Sequence, residues 1–232
     1  ADGTGGALPY PKEINFQPTY WAADSGITTP IIISTYWLYK FNGTDNNYGA
    51  WKAINQNTPI LAGEGYTMKG TSGAVNIGNQ QNYVFKGKPN NGDFTLQIDA
   101  GNSRLIGNPY PSAMDADEFI KDNIKETINS KAGRNTKNIF NGALYFWDHF
   151  GLSNNHFLAQ YEGGYATYTL TGGVAAVASS PLNVNNGATG TKVPQRYIPV
   201  GQAFFINAPA NNVQGGTFSF KNSQRAFVRE AS

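Results

Sequence analysis

The chain has 232 residues, long enough for one large domain or two small ones and for a sizeable buried core. Charged residues make up only 14% of the chain, against about 25% in an average soluble domain. The formal net charge is +2 and the basic residues form no stripe, so we expect no nucleic-acid partner. No cysteine is present, which excludes disulfides, a thiolate nucleophile and cysteine-based zinc sites.

The turn-forming composition, with 27 Gly and 12 Pro, is typical of secreted β proteins. No run of 18 apolar residues occurs, so we predict no transmembrane segment. The first residues, ADGTGG, lack the charged start and apolar stretch of a signal peptide, and we therefore expect a mature or trimmed chain.

Short runs of β-branched and aromatic residues, bounded by Gly, Asn and Pro, recur along the chain and predict strands joined by turns. The predicted fold is mostly β, an antiparallel β-sandwich-like arrangement. The predicted strands cover Thr29–Ile33, Thr35–Phe41, Gly65–Lys69, Tyr83–Gly87, Phe94–Asp99, Arg104–Gly107, Gly142–Asp148, Tyr165–Thr169, Gln202–Asn207 and Thr217–Asn222.

Three sequence blocks recur in the same order, which favours two related β halves. We place a first β half at residues 1–107, a proline-rich turn and helix at 108–131, and a second β half at 132–232; one domain over the whole chain is the alternative. A chance match between aromatic-rich strands explains the repetition equally well. The blocks Tyr36–Tyr39, Ile60–Tyr66 and Tyr83–Gly87 match Leu144–Trp147, Ile198–Phe204 and Thr217–Asn222.

One segment, residues 112–131, has apolar side chains at helical spacing and predicts a single α-helix. Asp115, Asp117 and Glu118 lie near its start, where carboxylates complement the helix dipole. Both Ser112 and Asp115 fit a capping box, so either residue can begin the helix.

The stretch Leu105–Phe119, with the sequence LIGNPYPSAMDADEF, strongly resembles a region of large exported surface proteins of the Bacteroidetes. The blocks GEGYTMKG, GALYFW, GQAFF and FKNSQR agree with this resemblance, whereas Ala203 and Gln224 depart from the usual Gly and Met. In that family the region precedes a type IX secretion C-terminal sorting domain. The resemblance implies export across the outer membrane, attachment to the extracellular cell surface and contact with neighbouring domains of the parent protein.

Aromatic residues in loop-like settings are candidates for stacking on sugar rings. Tyr20 and Trp21 follow a proline, and Trp51 lies close to a Tyr-Gly turn. Trp37 and Trp147 fall within predicted strands, and we expect both in the core.

A rigid turn is predicted at Asn108–Ser112, where two prolines flank Tyr110. Tyr110 is a further candidate ligand-binding residue. The structural interpretation is favoured, because each proline holds the residue before it out of helix and so delays the helix start.

Calcium is the one candidate cofactor. Asp115, Asp117 and Glu118 cluster in sequence, but they lack the interleaved glycine of a calcium loop, and pairing with the helix dipole explains them better. Asp45 lies in an Asn-rich turn, where carboxylate and amide oxygens suit a cation, although a solvated loop is the favoured interpretation.

Catalytic apparatus is not evident. His149 and His156, with Asp148 and Ser153, contain the residue types of a hydrolase triad, but their spacing matches no family signature and the chain has no Gly-x-Ser-x-Gly elbow. We therefore predict a noncatalytic module of an exported surface protein, a structural spacer or adhesion unit. The alternatives are a carbohydrate-binding module and, least favoured, a polysaccharide-active hydrolase.

Overall fold

The computed structural model describes residues 14–18, 32–69, 88–127, 132–150, 163–177, 190–211 and 213–227. The fold is mostly β, as predicted, and α1 (Ala116–Asn123) is the single α-helix among the described residues. The strands are β1 (Asn15–Gln17), β2 (Ile32–Ser34), β3 (Tyr39–Gly43), β4 (Trp51–Ala53), β5 (Phe94–Asp99), β6 (Ser103–Gly107), β7 (Ala113–Asp115), β8 (Leu144–His149), β9 (Gly163–Thr169), β10 (Gly172–Val174), β11 (Tyr197–Ile198), β12 (Ala203–Asn207), β13 (Gly215–Phe220) and β14 (Arg225–Ala226).

The chain divides into two compact units. Unit 1 comprises Ala1–Lys40, Trp51–Ile60 and Tyr66–Pro89, and unit 2 comprises Phe41–Ala50, Leu61–Gly65 and Asn90–Ser232. These boundaries differ from the predicted ones at residues 107 and 131. The physical reason is strand pairing across the helix, since β6 pairs with β12 and β5 pairs with β13.

Unit 1 contains a parallel pair of strands, β1 and β2, and a small apolar core. Ile33, Leu38 and Ile54 form that core, and they also line an apolar cavity of about 200 Å³. The predicted strand from Thr35 to Phe41 is interrupted by a 3-10 turn at Thr35–Trp37, because the Ser34 side chain accepts a hydrogen bond from the Tyr36 amide and caps the turn.

Unit 2 is built on an antiparallel sheet with the strand order β10-β9-β8-β12-β6-β3. Its core face packs against α1 and the β5–β13 ribbon, giving the sandwich-like arrangement. Phe119 of α1 shows this packing, because its ring lies 5.9 Å from that of Phe204 in β12 and 5.0 Å from that of Phe220 in β13. A three-stranded sheet, β11-β7-β14, completes the unit.

The helix is shorter than predicted. It begins after Asp115, whose carboxylate accepts hydrogen bonds from the Asp117 and Glu118 amides, so Ser112 is not its cap. It ends at Asn123, whose side chain bonds to the backbone of Phe119 and of Ser219. Those bonds fix the helix end to β13, and the next residue is already extended. The helix therefore does not reach residue 131.

One pair of repeated blocks, Ile60–Tyr66 and Ile198–Phe204, contains the same kind of turn in both copies. In the first block Glu64 N donates to Leu61 O at 2.9 Å, and in the matching block Gln202 N donates to Pro199 O at 3.3 Å. The third residue of each turn is a glycine with positive φ, +89° at Gly63 and +74° at Gly201. A type II turn requires this conformation. Duplication of the two halves remains a prediction, with this turn in its favour.

Candidate functional site: an aromatic sheet face and a cleft on the opposite face

The side chains of β8 alternate between the two faces of the unit 2 sheet, as in any strand. Leu144 and Phe146 pack in the core. Tyr145 and Trp147 therefore lie on the other face, and Trp147 is 51% exposed. The prediction that Trp147 is a core residue is wrong.

Four rings form a continuous row on this outer face. The ring centroids of Phe41 and Phe205 are 5.5 Å apart, those of Phe205 and Tyr165 are 5.7 Å apart, and those of Tyr165 and Trp147 are 5.2 Å apart. Phe41 is buried at one end, whereas Tyr165 and Trp147 are exposed at the other. We call these four residues the aromatic row.

Gly163 determines how Trp147 lies on the sheet. A Cβ at this position of β9 would come within 2.3 Å of Cζ2 of the indole, so the ring covers the glycine backbone. The absence of a side chain at residue 163 lets the indole lie across the strand. The outer side of the ring is consequently available to a ligand.

Polar groups border the aromatic row. The Asn207 amide donates to Asp45 at 3.0 Å and to Ser103 at 2.7 Å. Burial, together with the charge of Asp45, raises the pKa of the Tyr165 hydroxyl. Asp45, a candidate calcium ligand, is thus part of this hydrogen-bonded border.

A cleft of about 450 Å³ lies on the other face of β8, where the side chains of Phe146 and Asp148 point. Lys192 and Tyr197 are also among its lining residues. The Asp148 side chain is only 4% exposed, and the Lys192 ammonium lies 3.1 Å from its Oδ1 as an ion pair. Oδ1 is thus paired with the ammonium, whereas Oδ2 is buried without a hydrogen-bond partner among the described residues. The cleft thus holds a buried, ion-paired carboxylate on the sheet face opposite to the aromatic row.

The predicted sugar-stacking residues are placed differently. Tyr20 and Trp21 lie outside the described residues. Trp51 is half-buried in unit 1, with its ring edge-on to Tyr39 at 6.5 Å. Tyr110 is 2% exposed, so it is not available to a ligand, and its hydroxyl donates to Gly92 O.

The Asn108–Ser112 turn has a structural role, which is the interpretation that the sequence favours. The Asn108 side chain accepts the Tyr110 amide at 3.0 Å and donates to the carbonyls of Ser112, Ile198 and Pro199. It thereby connects the turn after β6 to the segment after β11.

The acidic residues of α1 are engaged by cations and by the helix itself. Asp115 makes a bidentate ion pair with Arg196, at 3.0 and 2.8 Å, besides capping the helix. Asp117 accepts the Tyr168 hydroxyl at 2.8 Å, and the Glu118 carboxylate lies near Lys121 and Arg134. No cluster of three or more potential metal ligands occurs among the described residues.

Two of the four candidate hydrolase residues, Asp148 and His149, lie among the described residues. Asp148 and His149 are consecutive in β8, so their side chains point to opposite faces of the sheet. Ser153 and His156 lie outside the described residues. Asp148 instead belongs to the cleft.

Two buried tyrosines make the fold sensitive to alkali. Burial, with the charge of Asp93, raises the pKa of Tyr110 to about 12, and burial and the bond to Asp117 raise the pKa of Tyr168. Since an unfolded tyrosine titrates near pH 10, the stabilisation is complete below pH 10 and is lost as the pH rises through about 12. We expect the melting temperature, followed by circular dichroism, to fall across this window. In the Tyr110→Phe variant the melting temperature should fall less across this window. A pH profile identical to that of the wild type would contradict the assignment of the effect to Tyr110.

Sequence reasoning missed Trp147 and Tyr197 as exposed surface residues. The run Leu-Tyr-Phe-Trp at 144–147 places large apolar groups on both faces of its strand, so alternation cannot tell which face is open. The glycine at 163, opposite a tryptophan-containing strand, is the one local signal, and it becomes meaningful only once β8 and β9 are paired.

No helix in the described ranges is long and apolar enough to cross a membrane. No curated protein matches the chain, and no solved structure does. Residues 20–231 match the family described as domain of unknown function DUF8693. Because the match covers most of the sequence, the chain belongs to the DUF8693 family.

Proposed function

We propose that this chain is a noncatalytic adhesion module of an exported bacterial surface protein, with the aromatic row as its contact surface. The observation that carries the proposal is the exposure of Tyr165 and Trp147, 40% and 51%, side by side on a packed sheet. Large exposed rings that adjoin one another mark interaction sites, because their burial against a partner is favourable.

The proposed location rests on the sequence. The resemblance at Leu105–Phe119 points to type IX secretion and cell-surface attachment. A chain without cysteine and with few charges suits an exported domain that derives its stability from packing. Neighbouring domains of the parent protein are proposed partners through the rest of the surface.

Antibodies against the chain should label intact, unpermeabilised cells of the source bacterium. Beads coated with the chain should adhere to those cells and their extracellular matrix, and the double variant Trp147→Ala/Tyr165→Ala should remove most of that adhesion. Tyr48→Ala is the matched control, since Tyr48 is 92% exposed but is not part of the aromatic row.

Equal adhesion of the double variant would favour a passive spacer and refute the proposed contact surface. Turnover of a polysaccharide or peptide that disappears in Asp148→Asn would refute the noncatalytic assignment. Labelling only after permeabilisation would refute the location.

A further inference from the structure

We infer that the aromatic row binds a neutral glycan on the outer face of the sheet. One sugar ring stacks on Trp147 beside Tyr165, and hydroxyls further along the glycan bond to Asp45 and Asn207. This inference rests on the proposed adhesion function and names the ligand class of the row.

The residues of the proposed site share one face of the sheet, as the strand register shows. Trp147 is paired with Tyr165 in the β8–β9 ladder, and directly opposite residues of neighbouring strands point to the same side. Phe205 belongs to this face, since its ring lies 5.7 Å from that of Tyr165. Asn207 follows Phe205 by two positions in β12, so its side chain points the same way. One ligand can therefore contact Trp147, Tyr165 and the Asp45–Asn207 pair.

Trp147 presents the flat side of its indole to solvent. A Cβ on Gly163 would lie within 2.9 Å of three consecutive ring atoms, Cζ2, Cη2 and Cε2, which places the glycine under the face of the ring. The opposite face is open, because half of the Trp147 surface is exposed. An aromatic face carries partial negative charge and attracts the C–H groups on the flat side of a pyranose.

Tyr165 stands beside this indole at an angle. The two ring centroids are 5.2 Å apart and the ring planes meet at 69°. Since Trp147 remains 51% exposed, Tyr165 borders the indole without covering it. The two rings therefore form a corner, in which Trp147 contacts the flat side of a sugar ring and Tyr165 contacts its edge.

Polar groups for the sugar hydroxyls lie next to Tyr165. The Asn207 amide donates to Oδ2 of Asp45 at 3.0 Å, and Asp45 is exposed. Burial and the charge of Asp45 raise the pKa of the Tyr165 hydroxyl, so the carboxylate lies within electrostatic reach of that group. A carboxylate accepts hydrogen bonds at both oxygens, and the tyrosine hydroxyl both donates and accepts. Adjacent hydroxyls of a glycan are suitable partners for this set.

The exposed ring area suits a saccharide better than a protein partner. Aromatic side chains offer about 150–250 Å² each, so exposed fractions of 51% for Trp147 and 40% for Tyr165 leave about 200 Å² for a ligand. Each partner of a stable protein complex buries about 800 Å². The row and its hydrogen-bonded border, all within the described chain, contain no Lys or Arg, and Asp45 would repel an anionic polysaccharide. Charge thus favours a neutral glycan.

Affinity electrophoresis of the whole chain tests the inference, with gels containing a neutral β-glucan, α-glucan, xylan, mannan or galactan. We expect at least one of these polysaccharides to retard the chain. Trp147→Ala should raise the apparent Kd at least about tenfold, because the stacking ring is removed. Asp45→Ala should raise it about threefold or more, because hydrogen bonds to the carboxylate are lost.

Gly163→Ala separates a binding surface from a merely structural ring. The added methyl group displaces the indole from the strand while Trp147 remains in the sequence, so we expect weaker glycan binding and a changed tryptophan fluorescence maximum. Tyr48→Ala, which removes an exposed ring outside the row, should bind as the wild type does. Circular dichroism and the melting temperature of each variant establish that it is folded.

Retardation by none of the neutral polysaccharides, or unweakened binding in Trp147→Ala or Asp45→Ala, would overturn the inference. If bead adhesion is lost in Trp147→Ala/Tyr165→Ala while all neutral gels fail, the adhesion proposal stands and the glycan assignment falls. Adhesion that is lost after protease treatment of the target surface, but kept after periodate oxidation of its glycans, would also overturn the inference in favour of a protein partner.

Discussion

Phe119→Ala should lower the free energy of unfolding by about 3–5 kcal/mol, the usual cost of removing a fully buried phenylalanine ring. Phe119 is 0% exposed and lies against rings from two strands and a loop. The centroids of Phe140, Phe204, Phe218 and Phe220 are 5.0 to 6.4 Å from its own. Its loss leaves a cavity at the point where α1, the sheet and the β5–β13 ribbon meet.

Urea denaturation followed by circular dichroism measures this effect. Phe227→Ala is the matched control, because Phe227 is 86% exposed and its removal should change stability by less than about 0.5 kcal/mol. A loss at Phe119 no greater than that at Phe227 would show that α1 is not part of the core.

Asp115→Ala should lower the free energy of unfolding by about 2–3 kcal/mol. Its carboxylate caps the helix, which contributes about 0.5–2 kcal/mol, and pairs with Arg196 through two short hydrogen bonds. The Arg196 side chain is 46% exposed, so solvent screening makes this pair weaker than a fully buried one. The same denaturation experiment gives the value.

Asp115→Asn separates the two contributions. The amide oxygen still accepts the helix N–H groups, whereas the charge that binds Arg196 is gone, so we expect about half the loss seen for alanine. Identical losses in both variants would assign the whole effect to the ion pair. A loss in Asp115→Ala below about 0.5 kcal/mol would contradict both roles.

The longest stretch of the family resemblance belongs to the scaffold. Leu105–Phe119 folds into the end of β6, the Asn108–Ser112 turn, β7 and the first turn of α1, and its largest aromatic residues are buried. Trp147 and Phe205 of the aromatic row lie in two other blocks of the same resemblance, GALYFW and GQAFF. The resemblance therefore extends to part of the proposed contact surface.

The sequence by itself determined what depends on near neighbours in the chain. Alternation located β5 at Phe94–Asp99, and the capping pattern offered Asp115 as one of two helix starts, because strand periodicity and capping act over a few residues. The mostly β fold with one helix follows from the same local patterns.

The tertiary structure decided which faces are buried and which groups meet. Tyr110, in the turn after β6, and Trp147, in β8, both have large rings, yet one is 2% and the other 51% exposed. The difference arises because Tyr110 is enclosed by elements distant in sequence, whereas Trp147 lies on the sheet face opposite the core. Strand pairing over long separations, such as β6 with β12, sets these faces, and no local pattern encodes that choice.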